Sequence, residues 1–319
     1  MKVNVLRGAA FAAVCCSALP LAAQTPEPTI NETLVVANRI PQEANRLAAS
    51  TDLIDRDEIA ASLDADLGEL LETASGVHFT RNGGTGQNAS LFMRGTDSDH
   101  TLVLIDGQPV NALSDGRARL EFLPLSEIER VEIVRGARSS LYGSEAIGGV
   151  ISLHSRQPQQ GFSGSLGGLT GANSLLGSHL SLAGNINRVE LGGGVQWQQS
   201  DGIDARTNLN PDRDGFEKRD AWVRLASAVT DTSRLELRFS DNQSETDFDD
   251  SSWVIGGPDG SDQYERQQIS TRLKQQFYVQ LDGQFRLSRS SEHYTSFGLF
   301  GPFESNSDRR LASAQLNWQ

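Results

Sequence analysis

From about residue 158 onward the chain alternates polar and apolar residues in short runs with no helical period, and this restricts its fold more than any other feature. In Val189-Glu190-Leu191-Gly192-Gly193-Gly194-Val195-Gln196-Trp197-Gln198 the apolar residues and glycines share one face and the polar residues mostly the other. The same dyad returns in Arg234 to Phe239, in Gln276 to Leu281 and in Ala312 to Trp318. Period two is the mark of strands with one apolar side. Short turns alternating with long polar loops fit the wall of an outer-membrane barrel. A soluble β-sandwich uses the same alternation, so the pattern leaves both open.

Residues 1–23 read as an export signal: Lys2 and Arg7 form the positive start, Phe11 to Leu21 the apolar core, and Leu21-Ala22-Ala23 the cleavage site. That core is too short to span a bilayer as a helix, and no later stretch is a helical span. Both cysteines, Cys15 and Cys16, fall inside the signal. The mature sequence then offers no disulfide, no thiolate metal site and no cysteine nucleophile. A formal net charge of -13 argues against nucleic acid as a partner, because phosphate binding needs a basic surface. The sequence has no H-E-x-x-H, no G-x-S-x-G and no phosphate-binding G-x-x-x-x-G-K-[ST], and its five histidines are scattered. No enzyme is expected.

Residues 45–157 read as a compact α/β domain. Ile59, Leu63, Leu67, Leu70 and Leu71 fall on one helical face, with Asp55 or Asp57 as N-cap. Strands are expected at Ser90 to Met93, Thr101 to Ile105, Arg130 to Val134 and Gly149 to Leu153, separated by glycine-rich turns.

Several segments of this domain occur in a specific succession. Residues Glu32-Thr33-Leu34-Val35-Val36-Ala37-Asn38 form an isolated strand-prone segment in a polar arm of residues 24–44, suited to adding to a partner's sheet edge. Ser75-Gly76-Val77, Asn82-Gly83-Gly84-Thr85-Gly86-Gln87 and Phe92-Met93-Arg94-Gly95 follow. Then come Leu102-Val103-Leu104-Ile105-Asp106-Gly107, Ile128 to Gly136 and Leu141 to Ile151. This succession resembles the plug domain of the TonB-dependent outer-membrane transporters, most like their cobalamin receptors, with residues 32–38 as the TonB box.

The resemblance implies an α/β plug followed by antiparallel strands of a transmembrane β-barrel in the outer membrane, residues 158–319 supplying its N-terminal part. It implies TonB as periplasmic partner, membrane lipid around the wall, and cobalamin or a related corrinoid as cargo. Ferric siderophores or other metal chelates are the alternative cargo, and a secreted soluble β-protein is the alternative of another class. A receptor that signals to an inner-membrane regulator is disfavoured, because few residues separate Gln24 from the box. By the same resemblance the apical loops Asn82 to Ala89 and Asn111 to Arg117 touch the cargo, through Asn82, Gly83, Gly84, Thr85, Gln87, Asn88, Asn111, Ser114 and Asp115. Arg94, Arg130, Arg135 and Arg138 are expected to pair with carboxylates such as Glu129, Glu132 and Glu145, in a region where the family forms plug–barrel ion pairs.

Asp212-Arg213-Asp214-Gly215 places two carboxylates on alternate residues before a turn glycine, as a Ca2+ loop presents hard oxygen ligands. Asp204 precedes this pair and Asp247 and Asp262 follow, a spacing similar to the calcium loops of the cobalamin receptors. Plugged barrels of this class have about 22 strands; Pro158 to Gln319 holds material for about six to eight. We therefore expect the chain to be part of a longer receptor. Within that receptor, Leu34→Pro should abolish uptake while leaving cargo binding intact, because proline removes a backbone donor needed for strand addition. Uptake and equilibrium binding of labelled cargo, measured side by side, check this.

Overall fold

The computed structural model describes residues 50–62, 66–157, 161–205, 212–250 and 259–318, together with two paired dipeptides, β1 (Leu34–Val35) and β2 (Gln42–Glu43). The expected export signal lies outside the described residues.

The first domain has a five-stranded sheet of β3 (Thr51–Ile54), β6 (Thr101–Ile105), β7 (Gln108–Pro109), β8 (Ile128–Arg135) and β9 (Gly149–Ser155). Their order across the sheet is β3-β8-β9-β6-β7, and only β6 and β9 run parallel. A separate hairpin joins β4 (Val77–Arg81) to β5 (Ala89–Met93). All five residues of β6 are buried, which explains its unbroken apolar run. Val103 and Ile105 join Ile133, Ile151 and Leu153 in one cluster; Leu102 and Leu104 pack on the opposite side with Val150 and Ala146.

The single helix expected from Asp55 onward is two helices. In α1 (Arg56–Ala61), Asp55 and Glu58 close a capping box, with the Asp57 and Glu58 amides both 2.9 Å from Asp55 Oδ1. The helix ends at Ser62, whose backbone is extended. A second cap, Asp66, starts α2 (Leu67–Glu72), where Leu67, Leu70 and Leu71 reach the core. A run of apolar residues at helical spacing carried both; the cap at Asp66 divides them. The last helix, α3 (Ser139–Tyr142), is one turn.

Strands β10 (Phe162–Thr170), β11 (Leu176–Ile186), β12 (Val189–Ile203), β13 (Asp214–Ala228), β14 (Ser233–Asp249), β15 (Asp259–Tyr278), β16 (Leu281–Gly298) and β17 (Gly301–Trp318) form one antiparallel meander. The expected strand Gln276 to Leu281 straddles a turn: β15 ends at Tyr278 and β16 begins at Leu281. A tight hairpin continues the alternation of its arms, so the pattern alone hides the reversal.

The meander is inside-out relative to a soluble sheet. On β13 and β14, Lys218, Asp220, Arg224, Glu236, Arg238, Ser240 and Asn242 are buried on the inner face, where Lys218 and Arg238 bond the first domain. The opposite face exposes Val223, Leu225, Leu237 and Phe239, and the pairings Val223↔Phe239↔Ile269 continue this apolar surface across strands. Toward the ends that carry the longer loops it turns polar at Arg219, Asp241, Gln243 and Gln267. An apolar belt outside and a polar lining inside is the arrangement of a barrel wall in lipid.

Gly149 shows how closely the first domain is packed: a Cβ there would collide with Met93 Sδ and stand 2.5 Å from the Val134 carbonyl oxygen. Backbone cannot yield as a side-chain tip does, so Gly149→Ala should destabilise the domain by roughly 1–3 kcal/mol. Faster amide hydrogen exchange in β6, β8 and β9, with unchanged exchange in β14 and β15, is the expected result.

Candidate functional site

The plug and wall meet through charged and polar groups that water does not reach. Arg238 of β14 is the centre. Its Nη1 donates to Asp106 Oδ2 at 2.6 Å and its Nη2 donates to Glu127. Asp106 sits in the turn after β6 and also accepts from the Ser155 amide and hydroxyl at 3.0 and 2.7 Å. Burial alone would push the Asp106 carboxyl up, but Arg238 and Ser155 outweigh it and hold it well below the usual carboxylate range. Glu127 lacks such extra donors, and burial pushes its carboxyl up despite the same guanidinium.

Further contacts spread over the interface. Lys218 Nζ donates to the Leu123 carbonyl at 2.7 Å, and Gln268 Nε2 donates to Gln108 Oε1 at 2.8 Å. Arg309 of β17 donates to the Pro109 and Asn111 carbonyls at 3.0 and 2.9 Å. Phe122 stacks on Tyr264 with ring centroids 4.6 Å apart. Beside it, burial pushes the Glu121 carboxyl up to about 7, against the pull of its own backbone amide and Arg119.

Of the arginine–carboxylate pairs expected in the plug, Arg130 with Glu132 forms, and Arg135 takes Asp52 as its partner, both inside the plug. The ion pairs that cross the interface use wall guanidinium and plug carboxylate. Arg238, Lys218 and Arg309 were missed as candidates. The signal was available for Arg238: it is an inward-facing cation within a run recognised by its alternation.

The two apical loops lie together. Arg117 Nη1 donates to Asn88 Oδ1 at 2.8 Å, and the Arg117 guanidinium also pairs with Asp115 at 3.1 Å. Asn82, Ser114 and Asp115 are exposed, Thr85 and Asn88 half-buried, and Gly83 and Gly84 form the turn between. Gln87 and Asn111 do not face outward, which corrects the expectation for both. Gln87 is buried and donates to the Asp247 carbonyl of the wall. Asn111 is buried, accepting from the Val103 amide at 2.8 Å and donating to the Thr101 and Gly116 carbonyls at 2.9 and 2.8 Å. Both side chains build the loops.

Of the expected TonB box, only the backbone of Leu34 and Val35 is described, paired with Gln42 and Glu43. Glu32, Thr33, Val36, Ala37 and Asn38 lie outside the described residues. The five aspartates considered for Ca2+ are not brought to one point. Asp214 and Asp262 are buried at the loop end of the inner face, and Asp262 Oδ1 has no hydrogen-bond partner among the described residues. Asp204 and Asp212 flank residues 206–211, which are not described. Asp247 is exposed on the outer face, one residue from the inward Thr246, and cannot join Asp262 without turning its strand over. Its inclusion in the set is corrected. Among the described residues the group with carboxylate and imidazole atoms within 4.8 Å is instead Asp97, Asp99 and His100.

A mixed-sheet globule seated by ion pairs on the polar face of an inside-out antiparallel wall defines a plugged outer-membrane receptor. A family model described as "TonB-dependent Receptor Plug Domain" matches residues 43–150, so this part of the chain is a plug domain of the TonB-dependent receptors. Over 158 residues it is 46% identical to the vitamin B12 transporter BtuB of Vibrio cholerae, covering 49% of this chain and 25% of that protein. The BtuB of Photobacterium profundum is 30% identical over 327 residues, 100% of this chain and 51% of the relative. The chain thus spans about half the length of that relative or less of the other. Among solved structures, the alcaligin outer-membrane receptor FauA of Bordetella pertussis superposes with a TM-score of 0.75 at 18% identity, over 89% of this chain and 46% of its own. The ferric enterobactin receptor PfeA of Pseudomonas aeruginosa gives 0.67 at 17%, over 83% and 45%. These two share the fold.

Removing the Arg238 guanidinium would strand two buried carboxylates. Arg238→Ala should weaken plug seating by about 3–5 kcal/mol, whereas Arg238→Ala combined with Asp106→Asn and Glu127→Gln should recover part of it. Hydrogen exchange at 106–110 and 123–128 measures the loss and the recovery.

Proposed function

We propose that this chain is the plug and first wall strands of an outer-membrane receptor that takes up a corrinoid such as cobalamin, energised through TonB. The observation that carries the cargo is the sequence similarity to vitamin B12 transporters, at 46% over 158 residues and 30% over the whole chain. The siderophore receptors resemble it at 17–18% identity, a level that speaks for fold and leaves cargo aside.

In this proposal the corrinoid docks on the apical loops, where Asn82, Thr85, Ser114 and Asp115 offer hydrogen-bonding groups to a cargo rich in amides. Gly83 is partly open and lets the cargo approach backbone, Gly84 is packed against Ile203 of the wall, and Asn88 is held ready by Arg117. Because Arg117 ties the two loops together, a contact on either is felt by both. The apolar belt stands in outer-membrane lipid, and residues 32–38 add as a strand to TonB on the periplasmic side. The work of moving the plug comes from that partner.

Calcium belongs to the same proposal in reduced form. Asp204, Asp212, Asp214 and Asp262 supply hard oxygens at the loop end, and a divalent cation would relieve the repulsion among them and order the loops over the cargo mouth.

The test is an equilibrium isotherm for cyanocobalamin on the complete receptor, against a ferric siderophore, with calcium and with chelator. Saturable binding of cyanocobalamin alone, tightened by calcium, is expected. Asp212→Asn with Asp214→Asn should remove most of the calcium effect and leave the weaker calcium-independent binding. Preference for the siderophore would overturn the cargo, and identical isotherms with and without calcium would overturn the metal.

A further inference from the structure

Between the plug and the short-turn end of the wall lies a cavity of about 1220 Å3. Its floor is the turn between β13 and β14, and its sides carry Leu104, Gly107 and His154 of the plug and Arg272, Lys274 and Arg286 of the wall. We propose that this cavity holds a binding site for an oxyanion of the phosphate class, with Arg286 and Lys274 as its principal donors and Arg272 beside them.

The strand register concentrates cations here. Arg272 stands opposite Arg286 across β15 and β16, and Arg234 opposite Lys274 across β14 and β15. Like charges directly opposite are unfavourable on a sheet, so these cations favour any anion within reach. Arg234 has one: its two terminal nitrogens lie 2.6 and 2.5 Å from the Glu190 carboxylate. Arg272 has another, with Nη2 2.6 Å from Glu236 Oε1, but Arg224 already donates to the other oxygen of that carboxylate at 2.6 Å.

Arg286 and Lys274 are left over. Neither has a hydrogen bond or ion pair among the described residues; Arg286 is only 9% exposed, whereas Lys274 is exposed at the cavity's edge. The carboxylates that line the cavity are engaged elsewhere. Asp106 is held by Arg238 and Ser155, Asp231 by Arg188 at 2.9 Å, and Asp282 by Asn317 at 2.8 Å. The Arg286 side chain is buried as a whole, yet its nitrogens are not among the sealed, unpartnered polar atoms, so they open onto the cavity with donors to spare.

The plug makes room for this arrangement and sets the Asp106 carboxylate nearby without bonding it to Arg286. Gly107, at φ +79°, faces Arg286 so closely that a Cβ would stand 2.5 Å from Nη1. Gly107 itself offers no side chain to bond the guanidinium, and the carboxylate next to it in the turn, Asp106, is bonded to Arg238 and Ser155. A tetrahedral oxyanion has enough acceptor oxygens for Arg286, Lys274 and the remaining donors of Arg272 together, and planar guanidinium groups match it geometrically.

The same chemistry is offered by free phosphate and by a phosphodiester on the cargo. The second source rests on the corrinoid proposal, since cobalamin carries one phosphodiester; the site itself does not.

The experiment is calorimetric titration of inorganic phosphate into the full chain, purified in a maltoside detergent that contains no phosphate. Saturable binding is expected. Arg286→Gln with Lys274→Gln should weaken it at least tenfold, Lys274→Arg should retain it, and Arg289→Gln on the exposed outer face should leave it unchanged. Without phosphate the double variant should melt no lower than the parent, since it relieves unpaired like charges, and this separates lost binding from lost fold. Cyanocobalamin and cobinamide, which share the corrin ring and differ in the phosphodiester, serve as competitors. Displacement of phosphate by cyanocobalamin alone assigns the cargo's diester to the site. Displacement by neither assigns the free ion and counts against the corrinoid source only. Absence of saturable phosphate binding by the parent, or equal binding by the double variant, overturns the proposal.

Discussion

A strand wall that turns its apolar residues outward must do something with a polar inner face, and every other part of this structure answers that demand. In lipid the backbone is satisfied strand to strand, as it is here along β10 to β17. The side chains inside are a different matter. Lys218, Asp220, Arg224, Glu236 and Arg238 are too deep to be solvated freely, so they pair along the wall or find partners on the plug. The plug is therefore an electrostatic complement to the wall as much as a stopper in it.

Arg238 shows how much is concentrated in one side chain. It meets carboxylates from two separate plug segments, the turn after β6 and the short helical turn before β8. Moving either segment leaves a buried charge without its counterpart, a cost far above that of breaking an exposed pair. The interface is thus pinned most firmly where Arg238 sits.

What could be read in the sequence follows from where the determinants are local. The strand Thr101 to Ile105 appeared with the bounds expected of it, because four consecutive apolar residues behind a buried threonine leave one solution. The division of α1 from α2 was missed although Asp66 is an ordinary N-cap residue; the continuing helical spacing of leucines overrode it. The hairpin at Val279 and Gln280 was missed because those residues carry no glycine or proline. At the site, composition marked the apical loops well but could not say which polar side chains look inward. Asn111 and Gln87 have the chemistry of cargo-binding residues and use it on the protein itself. Pairing across the interface was illegible for a simpler reason: Asp106 and Arg238 are 132 residues apart, and nothing local to either names the other.

The order of strands in the plug sheet sets how the domain answers a mechanical load. β3 is the terminal strand in that order, four residues long, and is joined to the rest through β8 alone. The Ser50 carbonyl and the Asp52 carboxylate are both held by Arg135, so this residue fastens the edge at its beginning. Tension entering the chain ahead of residue 50 therefore falls first on Arg135 and then on a single four-residue ladder, while β8, β9 and β6 remain shielded behind it. The sheet has a sacrificial seam, and its yield point is set by one guanidinium and a few backbone hydrogen bonds and not by the strength of the core.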